Sequence, residues 1–362
     1  MNLLVISCVS LTCGGAERVI SILSKEFASR YDAVKIVMWK DAPVFYEIDK
    51  RIEVVSIEKE ISSCNYVKKI WWFRKFVKKT RPSLVLSFLA KSSIGVLTAC
   101  LATGQKVVVA ERNDPRFLKG GWLMIMIRDF LYTFATGILE QTEMSKSYFT
   151  GTKLKKTSVI YNPVFMKLES IGGATKIEKK KKIVSVGRLE PQKNHNLLID
   201  AFVRLHKIHP DYELVIYGEG TCRKSLEEKI NKIHLNGFVK LPGNVSNIFD
   251  LICDAKLFVM TSNFEGMPNA LIEAMCLGLP CVSTEVAGAT DLIKDEENGM
   301  LVPVGNEERV FFAMKRIIED DAFAKKIAES ASCIYKELSV DVISNQWIEY
   351  IDRIVLQKGI NV

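Results

Sequence analysis

Short apolar runs rich in Val, Ile and Leu alternate along this chain with longer helix-periodic stretches. The rhythm halts once and then starts afresh. Runs that are apolar at every residue, not at every second one, are strands covered on both faces. Strands of that kind belong to parallel sheets with helical crossovers. In the first half they fall at residues 3–7, 33–39, 52–57, 84–88, 106–110 and 137–139, with an amphipathic helix predicted over 16–29. A turn at Tyr161, Asn162 and Pro163 and a small, polar, lysine-rich stretch ending at Lys182 interrupt the pattern. Strands resume at 183–186, 213–217, 257–261 and 280–283, with helices at 196–206, 221–231 and 268–277; beyond Pro303 the chain reads as mostly helical. With 362 residues, too many for one ordinary core, the sequence predicts two doubly wound, Rossmann-like α/β domains facing each other across a cleft. The expected boundaries are 1–164 for the first domain, 165–182 for a linker, 183–340 for the second domain and 341–362 for a terminal helix.

Charge separates the two halves. Up to Pro163 there are 25 Lys and Arg against 14 Asp and Glu; beyond it there are 25 against 28. The basic excess therefore belongs wholly to the first half, which should meet an anionic partner such as lipid, nucleic acid or polyphosphate. The nine cysteines are scattered without a C-x-x-C pair, which fits reduced thiols better than a disulfide framework or a zinc site. No apolar run is long enough to cross a bilayer, and the apolar start lacks the basic flank of an export signal, so it reads as a buried first strand.

The candidate chemistry lies in loops that follow strands. Gly14 and Gly15 open the first helix, where backbone approaches a ligand closely and free N–H groups face an anion; a plain tight turn is the other reading. The loop is neither G-x-G-x-x-G nor a P-loop, which disfavours a nicotinamide cofactor and excludes a P-loop nucleotide site. In the second half Gly187, Arg188 and Lys193 follow a strand, and the two cations reach one diphosphate from different sides unless they are a solvated basic loop. Gly218 and Glu219 follow another strand in the same manner. Phe238 and Val239 line a nucleotide base or, in the plainer reading, belong to the core.

The sharpest segment runs from Asn263 to Met275. Glu265 sits in the loop before a helix, Gly266 makes the turn, and Pro268 stands at the first helical position. The amides of Met267, Pro268, Asn269 and Ala270 are read as a diphosphate-facing helix start, although Pro268 itself brings no N–H. One carboxylate, Glu265, accepts from sugar hydroxyls, and Glu273 inside the helix takes a ribose diol. A glycosidase would need two carboxyls flanking one bond, a convergence not expected of one loop and one helical glutamate. There is no Asp-x-Asp for a catalytic divalent metal.

Taken together these segments resemble the family-4 retaining glycosyltransferases of the GT-B fold, across essentially the whole chain. The Glu-x7-Glu pattern at Glu265 and Glu273 carries the likeness, supported by Gly-Arg-Leu at 187–189 with Lys193 and by Gly-Ala-Thr-Asp-Leu-Ile at 288–293. The resemblance implies that Arg188 and Lys193 bind the donor diphosphate, that Glu265 meets the transferred sugar and Glu273 the ribose. Gly15 would face the phosphates from the first domain. It further implies retention at the anomeric carbon, no metal or other cofactor, and a C-terminal helix crossing back to the first domain. Many relatives carry a His in the acceptor-side loop; here the loop reads Glu111, Arg112, Asn113, Asp114, so one of the last three must do its polar work, with Asp114 able to orient an acceptor hydroxyl.

The stretch 66–81 holds seven basic and no acidic residues, interleaved with aromatics: Lys68, Lys69, Trp71, Trp72, Arg74, Lys75, Lys78 and Lys79 are its candidate contacts. That composition suits a helix lying among anionic headgroups, or else a helix packed on the sheet with a solvated face. The aromatic run 122–134 reads as a second membrane contact or as core. The arrangement is similar to that of polyprenyl-linked oligosaccharide transferases. The likeness implies a UDP-sugar donor, with N-acetylgalactosamine, another N-acetylhexosamine or a hexose as the sugar. It implies an undecaprenyl-diphosphate glycan as acceptor in O-antigen, capsule or glycoprotein-glycan assembly, and a peripheral place on the inner face of the bacterial cytoplasmic membrane. A GT-B-shaped epimerase or hydrolase would need no basic aromatic helix. A nucleic-acid-binding protein would leave Glu265 and Glu273 without a role, so no nucleic acid is expected as partner.

Overall fold

The computed structural model describes residues 2–118, 120–164, 166 and 173–356. Part of the expected linker, residue 165 and residues 167–172, lies outside them. The chain forms two compact units: residues up to Pro163 together with the chain from Val340, and residues Val164–Ser339.

The first unit is built on seven parallel strands: β1 Leu3–Cys8, β2 Ala33–Met38, β3 Glu53–Ser56, β4 Leu84–Phe88, β5 Val107–Ala110, β6 Gly137–Glu140 and β7 Thr157–Val159, in the order β3-β2-β1-β4-β5-β6-β7. Its helices are α1 Gly15–Arg30, α2 Ile57–Ile61, α3 Tyr66–Thr80, α4 Ala90–Cys100, α5 Gly121–Leu131, α6 Glu143–Lys146 and α7 Gly151–Lys155. Every residue of β1, β4, β5 and β6 is buried, as strands covered on both sides must be. On one face Val5, Val37, Val85 and Val109 pack with Phe73 and Val77 of α3, Val96 and Leu97 of α4 and Leu131 of α5.

The second unit has six parallel strands, β8 Lys180–Val186, β9 Glu213–Tyr217, β10 Val239–Gly243, β11 Ala255–Met260, β12 Cys281–Thr284 and β13 Met300–Val302, in the order β10-β9-β8-β11-β12-β13. Its helices are α8 His195–His206, α9 Arg223–Lys232, α10 Ile248–Ile252, α11 Asn269–Leu277, α12 Ala289–Leu292, α13 Glu307–Glu319, α14 Asp321–Ser332 and α15 Tyr335–Leu338. The last helix, α16 Val340–Leu356, belongs to the first unit and packs on α1, with Trp347 stacked on Phe88 of β4 at 5.7 Å.

Two parallel, doubly wound sheets are what the sequence predicts, and four differences have local causes. β8 starts at Lys180, inside the supposed linker, because Lys180 and Lys182 pair with Asp254 just before β11. Residues 239–240, read as loop, begin β10, whose pairing with β9 takes up backbone groups that composition alone does not reveal. β7 and β13 are too short to announce themselves. Pro268 is the N-cap of α11, not its first residue: its backbone is extended and its carbonyl accepts from the amides of Leu271 and Ile272. Among the described residues no helix is long and apolar enough to cross a membrane.

Candidate functional site

In each sheet the strand order reverses once, between β1 and β4 and between β8 and β11. Loops leaving the carboxyl ends of the two strands at such a point diverge to opposite faces and leave a crevice. At the β8/β11 point the loops are laced together by backbone. The amide of Leu189 donates to Glu219 O and that of Gly218 to Gly243 O, both at 2.9 Å, and that of Asn263 to Gln192 O at 2.8 Å. Gly218 (φ +141°) permits this closeness: a Cβ there would stand 2.0 Å from the Gly187 carbonyl oxygen. The glycines after β9 therefore admit a neighbouring loop, and Gly218 also faces a cleft.

Glu265 is the best-held group in this crevice. It is buried, and its Oε1 accepts from Ser262 Oγ at 2.6 Å and from Lys193 Nζ at 2.5 Å, while Oε2 accepts from Gln192 Nε2 at 3.3 Å. Three donors fix one carboxylate before any ligand arrives, which is the condition for electrostatic preorganisation. The stem of Lys193 lies against Gly187, where a Cβ would come within 3.2 Å of Lys193 Cε. Arg188 is exposed beside it, with Nη2 donating to Gln192 Oε1 at 3.2 Å, and lines a cleft of about 230 Å³ with Gly187, Gly218, Gly243, Asn244 and Val245. The rim beyond Glu265 is the start of α11, which does not line that cleft. Gly266, Met267 and Pro268 are buried, Asn269 and Ala270 half-buried, and Glu273 is buried one turn further in. Gly288 (φ +75°) backs this rim, since a Cβ would meet Gly266 O at 2.4 Å; that is the physical use of the Gly-Ala-Thr segment.

The sequence overlooked two contributors. The cleft's far wall, Gly243 to Val245, follows β10; the Gly after a Leu-Pro pair was the available signal. His195, the first residue of α8, is buried beside Lys193; burial, then that neighbouring charge, lowers its pKa to about 4, so the ring is neutral and adds no repulsion to Lys193. Phe238 and Val239 do not reach the site. In a parallel sheet the residues that start β10 lie at the amino end, away from the crevice; Phe238 packs on His206 at the end of α8, and Val239 is core. Glu219 turns outward and takes Arg223, at 2.6 Å and 2.7 Å.

In the first unit Gly14 is the N-cap of α1 and Gly15 its first residue. The helix start already holds a carboxylate: Glu17 folds back so that a Cβ on Gly14 would lie 2.3 Å from its Oε2. The acceptor-side loop is more internal than expected. Arg112 is buried between the rings of Phe88 and Trp347, at 5.0 and 5.2 Å, and its Nη1 donates to Asn162 Oδ1 at 2.8 Å. Asp114 is also buried and accepts from Arg116 N at 2.9 Å and Arg116 Nη1 at 3.2 and 3.3 Å. As placed, Asp114 is engaged by Arg116, whereas Arg112 keeps Nε and Nη2 without a hydrogen-bond partner among the described residues; Asn113 is exposed.

On α3 two of the proposed contacts are internal. Lys69 is buried with Glu58 at 2.5 Å, and Arg74 donates to the carbonyls of Ala99 and Leu101 at 2.8 and 2.7 Å, closing the end of α4. Trp72 stacks on Phe76 at 5.2 Å. Lys68, Trp71, Lys75, Lys78 and Lys79 share the exposed face. The 122–134 run is not core: its large apolar residues are mostly exposed.

Residues 168–332, within the second unit, match the family described as glycosyl transferases group 1. Two relatives come from Campylobacter jejuni. The first is 26% identical over 95% of this chain and 97% of its own length, an alpha-1,4-N-acetyl-D-galactosaminyltransferase acting on a GalNAc-extended diNAcBac-PP-undecaprenol. The second is 29% identical over 94% and 97%, an N-acetylgalactosamine-N,N'-diacetylbacillosaminyl-diphospho-undecaprenol 4-alpha-N-acetylgalactosaminyltransferase. Among solved structures, Anabaena HepE in complex with UDP superimposes with a TM-score of 0.80 at 20% identity, over 98% of this chain and 100% of that one, which gives the fold as GT-B.

Proposed function

We propose that this glycosyltransferase, whose residues 168–332 match the group 1 family, moves a sugar from a UDP-sugar to a lipid-linked glycan at a membrane surface. The observation that carries the reading is the Lys193–Glu265 pair at the β8/β11 switch point, with Arg188 on one rim and the start of α11 on the other. In this reading Arg188, Lys193 and the amides at the start of α11 receive the diphosphate, and Glu273 receives the ribose. Asn244 and Val245 flank the base. Glu265, already oriented by Ser262, Gln192 and Lys193, accepts from the sugar hydroxyls.

The acceptor hydroxyl oxygen bonds to the anomeric carbon as the bond from that carbon to the diphosphate oxygen breaks. The electron pair stays on the departing UDP, whose phosphate takes the hydroxyl proton. Arg188, Lys193 and the α11 dipole stabilise the charge that develops there. Departure and attack on the same side retain configuration, and these fixed cations do the work for which other transferases use a metal. Among the described residues no cluster of His, Cys, Asp or Glu is arranged to hold one. The two Campylobacter relatives, both named as N-acetylgalactosaminyltransferases onto undecaprenol-linked glycans, support N-acetylgalactosamine or another N-acetylhexosamine as the sugar and an undecaprenyl-diphosphate glycan as acceptor. The exposed lysines of α3 support an anionic membrane as the working surface, the inner face of a bacterial cytoplasmic membrane.

The test is turnover by the purified chain with a panel of UDP- and GDP-sugars and a short-chain polyprenyl-diphosphate glycan, with and without chelator. Transfer from one UDP-N-acetylhexosamine that survives chelation and disappears in Glu265→Ala supports the reading. Free nucleotide released with no glycan extended would make the protein a hydrolase.

A further inference from the structure

Helix α5 is inside out for a helix on a protein surface. Its charged Arg128 is turned inward, 1% exposed, with Nη1 donating to Pro115 O at 2.8 Å and Nε and Nη2 to Asp129 Oδ1 at 2.9 and 2.8 Å. Its outer face is apolar: Trp122, Met126 and Phe130 stand four apart, Leu123 and Ile127 run beside them, and Phe134 continues the row after the helix. Trp122 is 71% exposed and Phe130 64%. Scattered apolar side chains on a surface need no explanation, but a contiguous helical face of them marks something that covers it.

The neighbouring elements identify the cover. Helix α4 packs against both α5 and α3, and all three lie on one face of the β1–β7 sheet. The layer therefore carries an apolar face on α5 and, on α3, a row of Lys68, Lys75, Lys78 and Lys79 around the 60% exposed Trp71. A hydrocarbon phase under anionic headgroups satisfies both. A second copy would bring two surfaces of the same positive sign together, which opposes pairing. At ~1.5 Å per residue α5 is far too short to span a bilayer and must lie in its plane.

We propose that α5 is the element that enters the acyl region of an anionic bilayer, and that the lysines of α3 hold the headgroups beside it. Two helices divide the work: α5 gives depth, α3 gives charge selectivity. The inference deepens, and rests on, the reading of a lipid-linked acceptor. The placement of α5 brings the first unit to the depth at which such an acceptor's diphosphate lies.

The experiment uses the full chain with vesicles free of any glycan: phosphatidylcholine alone, and phosphatidylcholine with phosphatidylglycerol, at physiological salt. Vesicle binding is read by co-sedimentation, and depth by quenching of tryptophan fluorescence with lipids brominated on the acyl chains. UDP binding is followed in parallel. We expect binding to the anionic vesicles and quenching that largely disappears in Trp122→Phe. Trp122→Ser with Phe130→Ser should weaken binding by about tenfold or more. Lys75→Ser with Lys79→Ser should lower the preference for phosphatidylglycerol and leave Trp122 quenched on the vesicles that remain bound. UDP affinity should be unchanged in both, so loss of UDP binding by the parent chain would count against the transferase reading and not against this one. Binding without any Trp122 quenching overturns the proposal, as does absence of binding to either vesicle. A dimer in solution that Trp122→Ser dissociates would assign the face to a second copy instead.

Discussion

The carboxyl ends of the two sheets share one architecture and do opposite things with charge. At the β8/β11 switch point the charge grades outward: Glu265 is buried and held by three side chains, Lys193 is half-buried, and Arg188 is exposed and lines a cleft. Beyond β5 and β6 of the first unit the charges are packed inside. Glu111 takes the hydroxyl of Tyr132, Gln141 donates to Asn162 Oδ1 at 2.5 Å beside Arg112, and Glu140 is buried among them. Burial raises Glu111, pushes Glu140 well above the usual carboxylate range and lowers the Arg112 guanidinium to about 9. A buried ionic group is costly unless its partners are complete, and here Arg112 Nε and Nη2 and Glu140 Oε1 have no hydrogen-bond partner among the described residues, so the cluster carries that cost. A switch point gives a ligand an address, and the side chains decide whether the address is open.

The comparison breaks most sharply at Glu265. Glu265→Ala removes the acceptor of three donors and leaves Lys193 without its partner. Transfer should fall by about 10²–10³-fold, mostly in kcat, because the group acts where charge develops. Steady-state kinetics on folded variant protein checks this; a loss confined to KM would place Glu265 in simple donor binding. Arg188→Lys should have a smaller effect. The charge survives and the planar fork does not, so activity should drop by roughly tenfold, with UDP affinity following. If Arg188→Lys were as severe as Arg188→Ala, the fork geometry and not the charge would be what the diphosphate needs.

These residues could be placed from sequence because their chemistry is local: Arg188, Lys193 and Glu265 sit in loops directly after strands whose apolar runs fixed their ends, and Glu273 lies one turn inside the helix that follows. What was not legible depends on neighbours distant in sequence. Phe238 read as lining a base or as core until β10 proved to start directly after it, and Arg112 read as one of three acceptor-side candidates until Trp347 of α16 closed over it. Gly218 was visible as a close approach and Gly288 only as part of a family segment, but what they approach, Gly187 O and Gly266 O, was not. The aromatic run of α5 was ambiguous because its helical spacing is the same whether the apolar face looks in or out; only the inward turn of Arg128 resolves it.

The loop lacing of the second unit should show in stability. Gly218→Ala puts a Cβ at 2.0 Å from Gly187 O on a residue with φ +141°, a conformation other residues rarely adopt. A loss of about 2–3 kcal/mol is expected. Denaturant unfolding measures it, and UDP should partly restore the midpoint by binding the folded form. An unchanged midpoint would mean that the two loops separate freely and that the crevice is not preformed.

The smallest effect tests the first unit's closed cluster through pH. Glu140 is a buried carboxyl whose folded pKa is raised above the ordinary 4.5, chiefly by burial and then by the charge of Glu111. Such a group favours the protonated folded state. It costs nothing below the unfolded pKa, and it withdraws stability progressively as pH rises from about 4.5 towards the folded value. Glu140→Gln cannot ionise, so the fall in Tm as pH rises above about 4.5 should be smaller in the variant than in the parent. A parallel pair of Tm–pH curves would mean that Arg112 and Arg128 keep Glu140 ionised at little cost. The first unit's rim would then be a poised charged surface like that of the second, and the contrast between them would be one of depth alone.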